Sequence, residues 1–183
     1  FNTTLWASWN PNAGWSHIQA ADFSGDGRAD IAGFTSWGDW WVGVSDGTKF
    51  TTTFWGNWNP AGDWTFVFAG DFRAELIRMV SPAATDLPKI DIAGMTSWGD
   101  WWVGTSDGTK FTTGLWGSWV PNAGWNHVAV SPQGIIYGRT SDGYWYAEVP
   151  RLGAFTTRLV SYWSPALTWS TVHFGDIASA LID

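Results

Sequence analysis

The sequence predicts an all-β protein, a β-propeller built of four-stranded antiparallel blades, and three observations carry that prediction. A long stretch is written twice, "IAGFTSWGDWWVGVSDGTKFTT" at 31–52 and "IAGMTSWGDWWVGTSDGTKFTT" at 92–113. Four segments, "WNPNAGW", "WNPAGDW", "WVPNAGW" and "WSPALTW", end at Trp15, Trp64, Trp125 and Trp169, at spacings of 49, 61 and 44 residues. Between them lie short Val-, Thr- and aromatic-rich runs punctuated by Gly-Asp and Asp-Gly pairs, with no long stretch of helical period. A repeat of this length made of four short strands is the signature of sheets repeated around an axis.

The strands of one unit read in order. "SHIQAADF" alternates polar and apolar residues, and "DIAGFTSW" follows a Gly-rich turn. "WWVGVSDGTKF" is Val- and aromatic-rich, and "TTTFWGNW" is Thr-rich. Gly38-Asp39 and Asp46-Gly47 supply the turns between them, because Gly and Asp tolerate positive φ. Blades are expected at 15–58, at 59–119 with an insertion near 73–90, and, eroded, at 120–163. The 61-residue spacing has a local cause: Asp22 to Asp30 spans 8 residues, whereas Asp71 to Asp91 spans 20. Within the insertion only "RAELIRMV" suits a turn or two of helix. Residues 1–14 match the last strand of a partial blade and 164–183 the first strand of another. About three blades plus partial ends fall short of the roughly four to eight that close a propeller. The remaining blades are expected from a longer chain, with self-association into a homo-oligomer as the other route.

Composition narrows the partners. Charged residues make up 14% of the chain, against roughly 25% in an ordinary soluble domain. Two Glu (Glu75 and Glu148) stand beside fourteen Asp, and the net charge is −7. Nothing here suits a phosphate backbone, so nucleic acid is not expected as a partner. There is no cysteine for a disulfide or a thiolate metal site. No apolar stretch is long enough to span a bilayer, so membrane insertion is not expected. The chain begins at Phe1, and any export signal is expected to have been removed or to lie outside this piece.

The segment "DFSGDGRAD" at 22–30 has the most specific chemistry. Asp22, Ser24, Asp26 and Asp30 place oxygens at positions 1, 3, 5 and 9; Gly27 supplies the sharp turn and Arg28 a backbone carbonyl. Hard oxygen donors at alternate positions are the logic of a Ca²⁺ loop. The alternative is an Asp/Gly-rich turn without metal. A second, doubtful site keeps Asp71 and Asp91 around the insertion.

"DFSGDGRADIAG" at 22–33, with "KIDIAG" at 89–94, resembles the FG-GAP (VCBS-like) repeats of integrin α-chain propellers and many bacterial extracellular proteins. The W-x-P-x-x-x-W linkers resemble a Trp-rich bacterial branch of these repeats. The resemblance implies a propeller with calcium loops on one rim and a secreted or cell-surface setting. It further implies roles in adhesion or glycan recognition, with sugar pockets between neighbouring blades.

The tryptophans divide by position. Trp40, Trp41, Trp101 and Trp102 are expected in the core, and Trp15, Trp64, Trp125 and Trp169 between blades. Trp37 and Trp98 sit at the lip of the Gly-Asp turn, beside Asp39 and Asp100. An indole face with a neighbouring carboxylate suits a pyranose ring, so these four residues are the expected ligand-binding set. An enzyme is not expected: no paired carboxylates, activated nucleophile or phosphate loop stands out, and His17, His127 and His173 are scattered. The resulting expectation is a calcium-stabilised recognition module for a glycan or surface glycoprotein. The rival is a scaffold module that binds only other chains.

Overall fold

The computed structural model describes residues 3–73 and 87–167. Among these residues the chain forms three four-stranded antiparallel sheets, each made of consecutive strands in sequence order. The first holds β1 (Ser16–Ala21), β2 (Asp30–Phe34), β3 (Asp39–Ser45) and β4 (Phe50–Asn57). The second holds β5 (Phe66–Gly70), β6 (Asp91–Met95), β7 (Asp100–Ser106) and β8 (Phe111–Ser118). The third holds β9 (Asn126–Val130), β10 (Ile136–Arg139), β11 (Tyr144–Arg151) and β12 (Ala154–Tyr162). The helical turns expected after Arg73, the linker residue Trp169 and the strand expected beyond it lie outside the described residues. No helix among the described residues is long and apolar enough to cross a membrane.

Successive sheets touch first strand to first strand and last strand to last strand. Aromatic rings make the junctions. Phe23, fully buried, leaves the β1–β2 loop and meets Phe111 of the second sheet edge-on at 5.8 Å. Trp55 and Trp40 close on the same ring at 5.1 and 6.4 Å. The next junction repeats the pattern: Phe72, Trp116 and Trp101 surround Phe155 of the third sheet at 5.9, 5.3 and 6.5 Å. Edge-to-face aromatic pairs add roughly 0.5–1.5 kcal/mol each beyond the area they bury, so these rings carry much of the cohesion between sheets. Residues 3–9 form no strand of their own, yet the Trp6 carbonyl accepts from the Phe50 amide of β4 at 3.1 Å and its ring sits on Phe50 at 5.2 Å, as Trp55 sits on Phe111.

Each linker is a short 3-10 turn, at Pro11–Ala13, Pro60–Gly62 and Pro121–Ala123. Proline pre-sets the first φ, and in the first two turns an Asn side chain (Asn10, Asn59) accepts from the amide two residues on. The turn then leaves through a left-handed residue, Gly14, Asp63 or Gly124. Through this kink both tryptophans of a linker fold back onto the sheet that follows.

Candidate functional site

A threonine at the end of each second strand organises the turn. The Asp39 amide donates to Thr35 Oγ1 at 3.0 Å, and the same bond joins Asp100 to Thr96 and Tyr144 to Thr140. Gly38, Gly99 and Gly143 then take φ near +100°, and a Cβ on any of them would lie within 2.2 Å of a backbone carbonyl, that of Trp58, Trp119 or Trp163. Only glycine meets both conditions. The turn is therefore locked to the next linker, because Trp58, Trp119 and Trp163 donate their amides to these glycines.

On this frame stand the lip tryptophans. Trp37 Nε1 donates to Asp39 Oδ2 at 2.8 Å, and Trp98 Nε1 to Asp100 Oδ2 at 2.9 Å. Asn57 holds the other oxygen of Asp39. The carboxylates thus act as tethers that fix the indoles, which stay 49% and 48% exposed. A large ring held half in water with its polar edge satisfied presents its apolar face.

The linker tryptophans build the opposite wall. Trp9 and Trp15 lie 4.4 Å apart, Trp58 and Trp64 4.4 Å, and Trp119 and Trp125 3.9 Å and stacked. The first ring of each pair lies on the glycine of "IAG" or its equivalent: a Cβ at Gly33, Gly94 or Gly138 would meet Trp9, Trp58 or Trp119 at 2.5–2.7 Å. The Trp9 and Trp58 indoles donate to Thr52 and Thr113, and the Trp15, Trp64 and Trp125 indoles to the carbonyls of Asn10, Asn59 and Val120. With Trp119 donating to Glu148, the edges of these six linker indoles are occupied and the faces are left to line a space.

Three repeat-related clefts result. The first, about 290 Å³, is walled by Trp9, Trp15, Trp37 and Trp41 with Thr35 and Thr52. The second, about 160 Å³, uses Trp58, Trp64, Trp98 and Trp102 with Thr96 and Thr113. The third, about 440 Å³, uses Trp119, Trp125, Asp142 and Tyr146 with Thr140 and Thr157. It is the largest because Asp142 replaces an indole and Tyr146 replaces another. Trp41 and Trp102, expected in the core, are half-buried cleft walls, whereas Trp40 and Trp101 are fully buried. A bulge against the last strand between residues 40 and 41, and again between 101 and 102, separates the members of each pair.

The third cleft has a second change behind it. Glu148 stands where the first two sheets have Gly43 and Gly104, and it is fully buried. Its Oε1 accepts from Trp119 Nε1 and, at 2.7 Å, from Thr157 Oγ1. Burial pushes this carboxyl up to about 7, only partly offset by those two hydrogen bonds.

The acidic loop is closed by its own amides. Asp22 accepts from the amides of Gly25, Asp26 and Gly27 at 2.7–3.1 Å, and Asp26 pairs with Arg28. Asp30, 1% exposed, accepts from the amides of Ser24 and Ser45 and has no cationic partner among the described residues. Asp91 is its counterpart in the second sheet. There Arg73, at the position of Ser24, makes a bidentate pair with Asp91 at 2.6 and 2.9 Å and also reaches the carbonyls of Lys89 and Ser106. Burial still raises the Asp91 carboxyl to about 6, against the pull of Arg73. The donor set of the first loop is all oxygen and suits a hard cation, although among the described residues no three His, Asp or Glu side chains converge on one point.

The expected ligand set therefore divides into Trp37 and Trp98, which line clefts, and Asp39 and Asp100, which tether them. The sequence reading missed the linker pairs and Trp41 and Trp102 as cleft walls. Their signal was recurrence at equal offsets from the glycine turn, which also fits a purely structural role. No protein-family model matches the chain, and a search of curated proteins finds no match.

Proposed function

We propose that the chain is part of a β-propeller of the FG-GAP type that recognises glycans outside the cell, with one pyranose ring in each of the first two clefts. The observation that carries the reading is the exposed, tethered indole of Trp37 and Trp98 facing a fixed tryptophan pair in a cleft without charged lining. Stacking of an apolar sugar face on an indole, with polar groups at the rim to fix orientation, suits such a cleft. The propeller arrangement draws support from the like-to-like contacts of successive sheets, with the missing blades supplied by a longer chain or by copies of this one. The test is a glycan array probed with the parent and with Trp37→Ala and Trp98→Ala. Binding by the parent that each variant weakens supports the reading, and a parent that binds no glycan overturns it.

The same reading assigns a structural Ca²⁺ to the loop of Asp22, Ser24, Asp26, Arg28 and Asp30. Its support is the contrast between sheets: the buried Asp91 has Arg73 as countercharge, and the buried Asp30 has none among the described residues. A scaffold role is the second reading. It draws on Phe54, Leu115 and Leu159, 50–59% exposed at equivalent positions of β4, β8 and β12.

A further inference from the structure

The third cleft differs from the other two in charge as well as size. Among its lining residues Asp142 is the sole charged one, with no Lys, Arg or His, whereas no charged residue lines the first or second. Asp142 stands where Trp37 and Trp98 lid the other clefts, and it has no ion pair among the described residues. Trp125 and Tyr146 form two walls at 72°, with ring centroids 5.7 Å apart, and Trp119 backs Trp125.

Three of the hydroxyls around the cleft are committed inward. Thr140 donates to Asp142, Ser141 to the carbonyl of Ala123 at 3.1 Å, and Thr157 to Glu148 at 2.7 Å. What remains for a ligand is aromatic surface at a steep angle, the polar groups of Ser118, Asn122 and Tyr146, and one carboxylate, Asp142. A neutral sugar leaves the charge of Asp142 uncompensated. A metal ion would find a single anionic ligand among aromatic walls, with no second carboxylate to help replace its hydration shell. An organic cation with apolar methyl groups matches both features, since ring faces attract cations within about 6 Å and a quaternary ammonium needs no hydrogen-bond acceptor.

We infer that the third cleft is a binding site for a quaternary ammonium group, seated in the angle made by Trp125 and Tyr146 and paired with Asp142. The inference is independent of glycan binding in the first two clefts, because it turns on Asp142 and Tyr146, which those clefts lack.

The test uses the full chain and titrates choline against its neutral carbon isostere, 3,3-dimethylbutan-1-ol, followed by the indole N–H resonances of Trp119 and Trp125. Choline is expected to bind at least tenfold more tightly than the isostere. Asp142→Asn keeps an acceptor for Thr140 and is expected to remove most of that preference. Asp142→Trp, which restores the lid of the first two clefts, is expected to abolish choline binding. Equal affinity for choline and its isostere, or a preference unchanged in Asp142→Asn, overturns the inference. Parallel titrations with a trimethyllysine peptide and with phosphocholine vesicles identify the source of the group, and the tighter of the two names it.

Discussion

Ionisation of Glu148 gives the fold a pH dependence whose size follows from its site. The carboxyl is fully buried and held up at about 7, against 4.5 when free. The folded state therefore binds the proton more tightly than the unfolded state. Stability is greatest below the unfolded value, falls as pH rises from about 4.5 to about 7, and stays low above that. At ~1.4 kcal/mol per pH unit, the loss between pH 5 and pH 8 comes to about 2.5 kcal/mol. Two other groups titrate nearby. Asp91, raised to about 6, acts in the same direction but is finished by about pH 7. His17 is lowered by burial and acts in the opposite direction, with stability lost as pH falls below its unfolded value. The comparison with Glu148→Gln removes both, because Asp91 and His17 titrate in parent and variant alike, while the carboxamide oxygen can still accept from Trp119 and Thr157 but cannot ionise. Urea unfolding of parent and variant at pH 5, 6, 7 and 8 measures the difference. It should favour the variant progressively with rising pH and level off near pH 8. A difference constant from pH 5 to pH 8 refutes the reasoning.

Other outcomes follow from single contacts. Arg73→Met leaves Asp91 buried without its countercharge and should cost about 3 kcal/mol in urea unfolding near pH 7, less near pH 4 where Asp91 is protonated; an equal cost at both pH values contradicts the pairing. Gly99→Ala puts a methyl 2.1 Å from the Trp119 carbonyl at φ +98° and should lower stability by about 3 kcal/mol or prevent folding. Trp37→Ala, which removes a half-exposed ring, should cost under about 1 kcal/mol by the same assay, so loss of ligand binding in that variant is not loss of fold. Calcium should raise the melting temperature and EDTA should lower it; an unchanged value counts against a metal at the Asp22–Asp30 loop.

The all-β class and the four antiparallel strands of each sheet were legible because the strands are short and separated by Gly/Asp-rich turns and Trp-Pro linkers. The eroded third unit was legible for the same reason, since Gly143 keeps the turn that Gly38 and Gly99 make. The clefts were only half legible. Alternation along "DWWVGVS" separates Trp40 from Trp41, but strand period alone gives both a neighbouring sheet to pack on. What exposes Trp41 is the bulge against β4 and the kinked linker, and neither leaves a mark in strand alternation. Arg73 as a built-in cation was hidden too, because the insertion obscures its alignment with Ser24. Glu148 is a single Gly-to-Glu change in a diverged unit, and only its contacts with Trp119 and Thr157 show that it sits inside the wall of a cleft.

The most direct test of the central claim is the stoichiometry of sugar binding, measured by calorimetry with a glycan identified on the array. Two saccharide units should bind per chain, one on Trp37 and one on Trp98. The count should fall to one in either alanine variant and to none in the double variant, with folding intact. A stoichiometry that neither substitution changes, or no binding heat with the parent, contradicts the assignment of these clefts as the recognition sites.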